Sequence, residues 1–250
     1  MYICSFNNDD WGIGGRIGYL HRSDSDILDP NGATEERKTK QSFEYNKILK
    51  RWRHKTRMAA WAVSHCETPS RREHLVKQLQ KYIGVDVYGG CGNLKCPREN
   101  RTTCYEMFAK KYFFYLSFEN SICREYVTEK FFNVLEHDIV PVVLGGANYT
   151  AIAPPDSFID ALSFRSPKHL AEYLKRVAGD FQLYAKYLRW KNRQPVGRLP
   201  APFCDLCNKL RGPSFRQTTV VADLFHWWNT MAHCWSWNFT KRNKVHVVSS

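Results

Sequence analysis

The sequence predicts an α/β fold, with a parallel sheet covered by helices on both faces. Short apolar runs alternate with segments whose apolar residues recur at helical spacing, and this alternation is typical of strand–helix–strand units. Hydrophobic residues make up 43% of the 250 residues and aromatic residues 14%. That content suffices for a core and excludes a disordered chain. No stretch reaches the roughly 20 uncharged apolar residues that a membrane-spanning helix needs.

The first strand–helix–strand unit follows a polar and basic N-terminal region. Its predicted elements are a strand over 58–63, a helix over 71–83 and a strand over 85–88. The first strand is a short apolar run, typical of a buried strand. The helix carries Leu75, Leu79 and Tyr82 on one face. The basic region 35–57, which contains Trp52, is interpreted as a solvated linker or helix face rather than a dedicated binding patch.

A second unit repeats the pattern further along the chain. Its predicted elements are a strand over 113–118, a helix after Thr128, a strand over 139–144, a helix opening at Ser166-Pro167 and a helix over 181–190. Thr128 has the chemistry of a helix N-cap. Ser166 followed by Pro167 is the cap-then-proline arrangement of a helix start. Pro141 is tolerated because it lies near the start of its strand.

Two loops are predicted to form the ligand site. In open parallel sheets, ligands bind beyond the carboxyl ends of the strands. That rule selects the loop 64–72 after the first strand and the loop 119–130 after the third. The second loop brings an amide, a phenol, a carboxylate and an ammonium to the mouth of the sheet, and its last residues begin a helix whose N-terminus suits a phosphate. The sequence therefore predicts an anion site between the two loops.

Individual residues of these loops have candidate roles. Lys130 adds a full positive charge, Glu129 offers acceptors to ribose hydroxyls, and Arg72 faces the same anion from the other helix. A plainer interpretation stays open, in which Glu129 caps its helix and Arg72 is a surface charge. The sequence lacks the GxGxxG fingerprint of a dinucleotide site and the GxxxxGK[ST] pattern of a P-loop.

Charge and cysteine content bear on partner and compartment. Lys and Arg number 37 against 24 Asp and Glu, so the formal charge of +13 favours an anionic partner. Only one CxxC pair exists among the nine cysteines, at Cys204 and Cys207, so a zinc site is less well supported than disulfides. Three N-x-[ST] sequons also indicate the secretory pathway, at Asn100, Asn148 and Asn238.

Five sequence motifs lie in and just after the stretch 113–155: FYLSFEN (114–120), YVTEKFF (126–132), VPVVLG (140–145), APPDSFI (153–159) and SPKHL (166–170). With these motifs the stretch resembles the α1,3-fucosyltransferases that use GDP-fucose, of the glycosyltransferase family 10 type. Upstream, WAVSH (61–65) and VDVYG (85–89) fit the same family, and YGGCGNLKCP (88–97) is similar to its invertebrate branch. The resemblance covers about residues 24–210.

This resemblance implies a fold and a division of the chain. The family has two facing Rossmann-like domains, the GT-B arrangement, and this chain matches the donor-binding half. The implied divisions are a remnant of the acceptor-side domain with a basic linker over 1–54, a GDP-fucose-binding domain over 55–210 and a divergent aromatic-rich tail over 211–250. The acceptor domain, which carries the family's general base, is expected to be almost wholly absent through N-terminal truncation. No catalytic base is therefore assigned.

The resemblance also implies roles for the loop residues. Asn120, Tyr126 and Glu129 are expected to contact the nucleoside, with Glu129 on the ribose. Lys130 and Arg72 are expected to hold the diphosphate. The same pocket has two further candidate lining residues, Ser64 and Tyr115.

The activity implied is inverting transfer of fucose from GDP-fucose to an N-acetylglucosamine hydroxyl of a glycoprotein glycan, in α1,3 linkage. No cofactor or metal is required in the site, although stimulation by a divalent cation is compatible with the family. The implied setting is the Golgi lumen, in a type II membrane protein whose anchor is not in this chain. The expected disulfides are Cys204 with Cys207 and one bridge among Cys91, Cys96 and Cys104.

Two other hypotheses accompany this one. The chain is alternatively a catalytically inactive fragment that only binds GDP-fucose, because the general base is missing. The third hypothesis is a basic nucleic-acid-binding protein that uses residues 38–57 and a zinc-bound CxxC. It ranks low because the basic residues match no RNA-binding motif, and no nucleic-acid partner is expected.

Overall fold

A five-stranded parallel sheet forms the centre of the molecule. The computed structural model describes residues 45–96 and 101–192, with short stretches at 210–211, 220, 222–224, 226, 233–238 and 243–246. The strands are β1 (Arg57–Ala62), β2 (Val85–Tyr88), β3 (Tyr112–Phe118), β4 (Val140–Leu144) and β5 (Ile159–Asp160), in the spatial order β2-β1-β3-β4-β5. All four strand pairings are parallel. The predicted fold class is thereby confirmed.

Helices cover both faces of this sheet. They are α1 (45–54), α2 (Arg72–Leu79), α3 (Arg101–Lys111), α4 (Glu129–Leu135), α5 (Tyr149–Ile152), α6 (Pro167–Gly179) and α7 (Phe181–Lys186), with 3₁₀ turns at Ala161–Ser163 and Arg189–Asn192. Phe114, Leu116 and Phe118 alternate along β3 into the larger apolar cluster, which also contains buried residues of α2 and α6. Tyr115 and Phe108 belong to a second cluster against α3. The strand run 112–118 is almost continuously buried because both faces are covered.

Side chains cap two of the helix starts, and the cap at Ser166 confirms the prediction. Ser166 is the N-cap of α6, its hydroxyl oxygen accepts from the His169 amide at 3.3 Å, and Pro167 occupies the first turn. Asp180 caps α7 in the same way, accepting from the Gln182 amide at 2.8 Å.

Three expectations about helices need correction. Helix α2 ends at Leu79 instead of residue 83, so Tyr82 lies beyond its last turn and is 40% exposed, whereas Leu75 and Leu79 are buried. The helix predicted over 181–190 is α7, followed by a separate 3₁₀ turn. Helix α3 was not predicted, although the parallel crossover from β2 to β3 requires a long connection.

The basic region before β1 is helical over 45–54 and packs on the sheet. Trp52 donates its indole N–H to the Ala178 carbonyl at 3.0 Å, and its ring lies against Phe113 and Phe181. The helix-face interpretation fits these residues, but Lys55 just after the helix is 6% exposed, contrary to the expectation that basic residues here are solvated. Residues 1–44 lie outside the described part of the chain.

Disulfides join six of the described cysteines. The pairs are Cys66–Cys91, Cys96–Cys104 and Cys123–Cys234. The expected bridge among Cys91, Cys96 and Cys104 is confirmed as the second pair, whereas Cys91 bonds to Cys66, which the sequence did not indicate. Cys204 and Cys207 lie outside the described residues, so their pairing stays a prediction.

A strand from the C-terminal region lies against the domain. Strands β6 (Trp235–Asn238) and β7 (Asn243–His246) form an antiparallel pair. The Trp235 amide donates to the Ile122 carbonyl at 3.0 Å, and the Ser236 hydroxyl donates to the Pro69 carbonyl. No helix within the described residues is long and apolar enough to cross a membrane. The domain limits expected at residues 54 and 210 stay predictions.

Candidate functional site

The strand order places a crevice between the carboxyl ends of β1 and β3. From β1 the chain moves outward to β2 and then returns to β3 on the other side of β1, which makes this position the topological switch point of the sheet. The two loops selected from the sequence, 64–72 and 119–130, leave the sheet at this point. Sheets of this order bind ligands at their switch point.

The two loops are joined through Ser70, which is fully buried. Its amide donates to the Asn120 carbonyl at 3.0 Å and its hydroxyl donates to the Glu119 carbonyl at 2.7 Å. Thr68 adds a second layer, with its hydroxyl 3.0 Å from the Ser70 hydroxyl and 3.0 Å from a Glu73 carboxylate oxygen. These bonds fix the distance between the loops before any ligand is present.

Arg72 spans the crevice floor instead of projecting into solvent. Its guanidinium donates to the Phe118 carbonyl at the end of β3, at 2.7 Å, and to the His65 carbonyl in the loop after β1, at 3.2 Å. It also lies over the Trp61 ring at 5.6 Å. The side chain is 2% exposed, and its Nε is buried with no hydrogen-bond partner. The surface-charge interpretation of Arg72 is therefore wrong, and its expected role on a diphosphate stays a prediction.

Glu119 is the residue that sequence reasoning missed. It follows β3 directly, and its carboxylate is fully buried. The Thr128 amide donates to Oε1 at 2.8 Å, the Thr128 hydroxyl donates to Oε2 at 2.8 Å, and the Lys130 ammonium lies 3.3 Å from Oε2. Burial raises the pKa of this carboxyl, while Lys130 and the Thr128 bonds act in the opposite direction. The sequence signals were its position at the carboxyl end of a central strand and its place in the FYLSFEN motif.

Lys130 lies among three oxygen ligands at the start of α4. Its Nζ is 2.8 Å from the Thr128 hydroxyl, 3.3 Å from Glu119 and 3.5 Å from Glu129. The side chain is 21% exposed, so the ammonium is held and still accessible from the crevice. Thr128 occupies the predicted N-cap position, but its hydroxyl contacts Glu119 and Lys130 rather than a helix amide.

Glu129 lies 3.5 Å from this ammonium, and Asn120, Tyr126 and Glu129 are all half-buried. The Asn120 side-chain oxygen is buried without a hydrogen-bond partner, which leaves an acceptor directed into protein or toward a ligand. Burial raises the pKa of the Tyr126 phenol, with Glu119 and Glu129 adding to the rise and Arg72 opposing it. The structure thus brings Arg72, Tyr126, Glu129 and Lys130 into one electrostatic neighbourhood.

The two further lining candidates lie in different surroundings. Ser64 is exposed beside the Gly89-Gly90 turn, where an added Cβ on Gly90 would lie 3.4 Å from the Ser64 carbonyl oxygen. Tyr115 is 2% exposed and packs against Tyr105 and Phe108 in the second core cluster. Tyr115 therefore lies beneath the crevice, and a lining role for either residue stays a prediction.

Gly146 allows the 119–130 loop to lie close to the end of β4. A Cβ at this glycine would lie 2.6 Å from the Cys123 carbonyl oxygen and 2.9 Å from the Cys123 nitrogen, so no larger residue fits without moving the loop. Cys123 is in turn bonded to Cys234. The loop is therefore held from below by β4 and from the side by the β6 segment.

A cavity at the other end of the sheet is also present. A depression of about 700 Å³ follows the edge strand β2 and reaches Arg57, Lys111 and Tyr112 at the amino ends of β1 and β3. The ion pair of Arg57 with Asp86 lies in its wall. We assign the functional site to the switch-point crevice, because polar groups converge there and parallel sheets bind ligands at that end. Within the described residues, no group of three or more His, Cys, Asp or Glu side chains is placed to hold a metal ion.

Comparison with known proteins identifies the family. Residues 52–227 match the family model described as glycosyltransferase family 10 (fucosyltransferase) C-term. The chain belongs to glycosyltransferase family 10. The resemblance stated from the motifs is thus confirmed, and the nucleic-acid hypothesis is not favoured.

Curated members of family 10 are similar over most of this chain. Alpha-(1,3)-fucosyltransferase C of Drosophila melanogaster is 45% identical over 203 residues, which cover 81% of this chain and 47% of that protein. Glycoprotein 3-alpha-L-fucosyltransferase A of the same organism is 40% identical over 205 residues, covering 78% of this chain and 40% of that protein. The chain spans about half the length of the curated relatives it matches.

A solved structure shares the fold. The crystal structure of an alpha1,3-fucosyltransferase with GDP-fucose superposes with a TM-score of 0.54 at 18% identity, covering 82% of this chain and 60% of that one. At this identity the likeness supports the architecture of the family 10 domain rather than individual contacts.

Proposed function

We propose that this family 10 chain binds GDP-fucose in the switch-point crevice and forms the donor side of an inverting α1,3-fucosyltransferase. The observation that carries the proposal is the position of Lys130. Its ammonium lies at the crevice where the strand order reverses, inside the motif that marks the family. A crystal structure of a related alpha1,3-fucosyltransferase contains GDP-fucose, and the similar Drosophila melanogaster protein is an alpha-(1,3)-fucosyltransferase.

The crevice residues would divide the nucleotide between them. Lys130 would contact the diphosphate, and Glu129 on the first turn of α4 would accept from the ribose hydroxyls. The unpartnered Asn120 oxygen and the Tyr126 phenol would contact the nucleoside. Arg72 would act on the diphosphate through its remaining N–H groups, since two of its five already bond to main-chain carbonyls.

The proposed chemistry places the charge of the leaving group beside Lys130. As an acceptor hydroxyl attacks the anomeric carbon of fucose, the bond to GDP breaks and negative charge builds on the diphosphate. A fixed cation in a partly buried site stabilises that charge more than water does, because it needs no reorganisation. We propose that no resident metal is required for this step, with a divalent cation acting at most as a stimulant. A carboxylate from another part of the full protein would deprotonate the acceptor.

The acceptor and setting follow from the same proposal. The acceptor would be an N-acetylglucosamine hydroxyl of a glycoprotein N-glycan, and the location the Golgi lumen, in a type II membrane protein. Fucose transfer to a glycopeptide by the purified chain distinguishes an active enzyme from a chain that only binds the donor.

Calorimetry with GDP tests donor binding. The wild-type chain should bind GDP, and Lys130→Ala should weaken binding by about 10- to 100-fold, which corresponds to the roughly 1.5–3 kcal/mol of a charge-assisted contact. Lys168→Ala is the matched control, because Lys168 is exposed and pairs with Glu172 on α6, away from the crevice loops. The absence of GDP binding by the folded wild-type chain, or equal binding by Lys130→Ala, would contradict the proposal.

A further inference from the structure

The main chain of Glu119 is hydrogen-bonded on both sides of the crevice. Its amide donates to the Leu144 carbonyl of β4 at 2.9 Å, and its carbonyl accepts from the Ser70 hydroxyl at 2.7 Å. Its main chain is therefore fixed to the neighbouring strand on one side and to the opposing loop on the other. From this fixed main chain, the Glu119 carboxylate extends beneath the start of α4, where the Thr128 amide donates to it.

The Glu119 carboxylate receives three donors and no solvent. They are the Thr128 amide, the Thr128 hydroxyl and the Lys130 ammonium. The side chain is 0% exposed. Buried carboxylates are stable only when paired and hydrogen-bonded, so Glu119 and these donors form one unit.

The unit is directional, which links Glu119 to Lys130 by two routes. The Lys130 ammonium donates to the Thr128 hydroxyl oxygen at 2.8 Å, and that hydroxyl donates its own hydrogen bond to Glu119 Oε2 at 2.8 Å. The second route is the direct contact of 3.3 Å between Nζ and Oε2. A lysine side chain is a point charge on a flexible stem, and these two routes fix where that charge lies.

We propose that Glu119 is a positioning residue, which holds the Lys130 ammonium and the first residues of α4 where the donor diphosphate is bound. The link between this positioning and GDP binding rests on the proposed function. Glu119 does not touch the nucleotide: it acts through Thr128 and Lys130. The negative charge of Glu119 opposes binding of an anionic diphosphate nearby. Glu119 therefore favours GDP binding only by ordering the Lys130 ammonium before the nucleotide arrives.

The other titratable groups around Glu119 leave Lys130 as its ion-pair partner. Arg72, Tyr126 and Tyr149 interact electrostatically with it from α2, the 119–130 loop and α5. The Arg72 guanidinium is held by main-chain carbonyls, and the Tyr149 hydroxyl has no hydrogen-bond partner. Lys130 is thus the cation within ion-pair distance of Glu119 among the described residues.

The first test needs no nucleotide. Acetylation of Lys130 by limiting acetic anhydride is followed by peptide mass spectrometry in the wild type and in Glu119→Gln. The amide keeps the size of the side chain but presents an N–H₂ donor to the ammonium, so Lys130 should be released and acetylated about tenfold faster. Glu172→Gln, which breaks the exposed pair with Lys168, should leave the Lys130 rate within about twofold. An unchanged Lys130 rate in folded Glu119→Gln would overturn the proposal.

The second test is a double-mutant cycle on GDP affinity. Glu119→Gln should weaken GDP binding about tenfold in the wild-type background and less than about twofold in the Lys130→Ala background, since residues that act as a unit are not additive. Equal losses in both backgrounds, or tighter binding by Glu119→Gln, would overturn a positioning role.

The two tests separate the two proposals. If Lys130 becomes more reactive in Glu119→Gln and the wild type binds no GDP, the proposed function fails and the positioning of Lys130 stands. If Glu119→Gln does not fold, Thr128→Val replaces it, because this variant removes the bridging hydroxyl and keeps the amide that donates to Glu119. The same direction of change is expected with Thr128→Val, and no change would count against the proposal.

Discussion

The two ends of the sheet both bury cations, but the cations differ in how fully they are bonded. At the amino end, the Lys55 ammonium donates to three main-chain carbonyls, those of Ala109, Tyr112 and Asp138. At the carboxyl end, Arg72 has a buried Nε without a partner, and the Asn120 oxygen nearby is also unpartnered. Complete bonding is typical of a structural site, whereas leftover polar capacity is typical of a site that receives a ligand.

The difference also lies in what the cations bond to. Lys191 joins Lys55 at the amino end, donating to the His137 carbonyl and lying 3.3 Å from Asp138. The carbonyls that accept from Lys55 and Lys191 belong to the end of α3, the start of β3 and the turn before β4. The two lysines therefore join separate segments of the backbone. At the carboxyl end, Lys130 bonds to side chains of its own loop and stays partly exposed. Stability is therefore expected to depend on the first end and ligand affinity on the second.

The largest effect on stability is expected from Lys55→Met. The substitution leaves three carbonyl acceptors near an apolar side chain, and buried acceptors without partners are costly, so the free energy of unfolding should fall by about 3 kcal/mol. Urea denaturation measures the loss. Lys168→Met, at an exposed position, should change stability by less than about 0.5 kcal/mol. A similar small loss for both variants would remove the distinction between the two ends.

A pair of glycine substitutions probes the available space at each end. Gly146→Ala would place a methyl group against the Cys123 main chain, so it should destabilise the protein by about 2 kcal/mol and weaken GDP binding by shifting the loop. Gly179→Ala, at the end of α6 beside Ala178 and Trp52, meets nothing within 4 Å. It should be neutral or stabilise by up to about 1 kcal/mol. Thermal melts and GDP titrations of both variants provide the check, and a neutral Gly146→Ala would show that the loop is loosely held.

The smallest effect is a pH dependence of stability that originates at the amino end. Burial lowers the pKa of Lys55 to about 7, with Arg51 and Lys191 adding to the shift. Between pH 7 and the unfolded value near 10.5, the unfolded chain holds a proton that the folded chain lacks, so the stability contribution of this group rises with pH. From pH 7 to 8 the gain should be about 1 kcal/mol.

Lys55→Met should reduce that slope in urea titrations at each pH, and Lys191, whose pKa burial also lowers to about 7, should supply the slope that remains. The stability contribution of Glu119, at the carboxyl end, has a pH dependence of the opposite sign. Its pKa is raised by burial, so the folded chain holds the extra proton and this contribution falls as pH rises above 4.5. An unchanged slope in Lys55→Met would assign the dependence to other groups.

Much of the architecture was predictable because the apolar residues of strands and helices recur at characteristic spacings in the local sequence. The strand 113–118 and the cap at Ser166 needed only neighbouring residues, and the switch-point rule then selected both site loops. Helix α3 was missed because its apolar residues do not repeat cleanly at helical spacing, and β5 because it has only two residues.

The contacts that define the site depend on distant partners. Lys55 donates to a carbonyl 83 positions away and Arg72 to one 46 positions away, so no local pattern indicates that either side chain is buried. Lys130 and Glu129 were identified from their motif. Glu119 was not, because a carboxylate at a strand end is indistinguishable in sequence whether it faces solvent or a buried lysine.

The bond between Cys123 and Cys234 has a consequence for the order of events during synthesis. Cys123 belongs to the site loop, and its partner lies 111 residues later. At ribosomal rates of about 5–20 residues per second, the partner emerges on the order of ten seconds after the loop. Throughout that interval the Cys123 thiol lacks its partner, whereas Cys66 pairs with Cys91 and Cys96 with Cys104 within the chain already made. The loop that carries Lys130 therefore reaches its final covalent state only after those 111 further residues have been made, and errors of pairing would affect the binding site first.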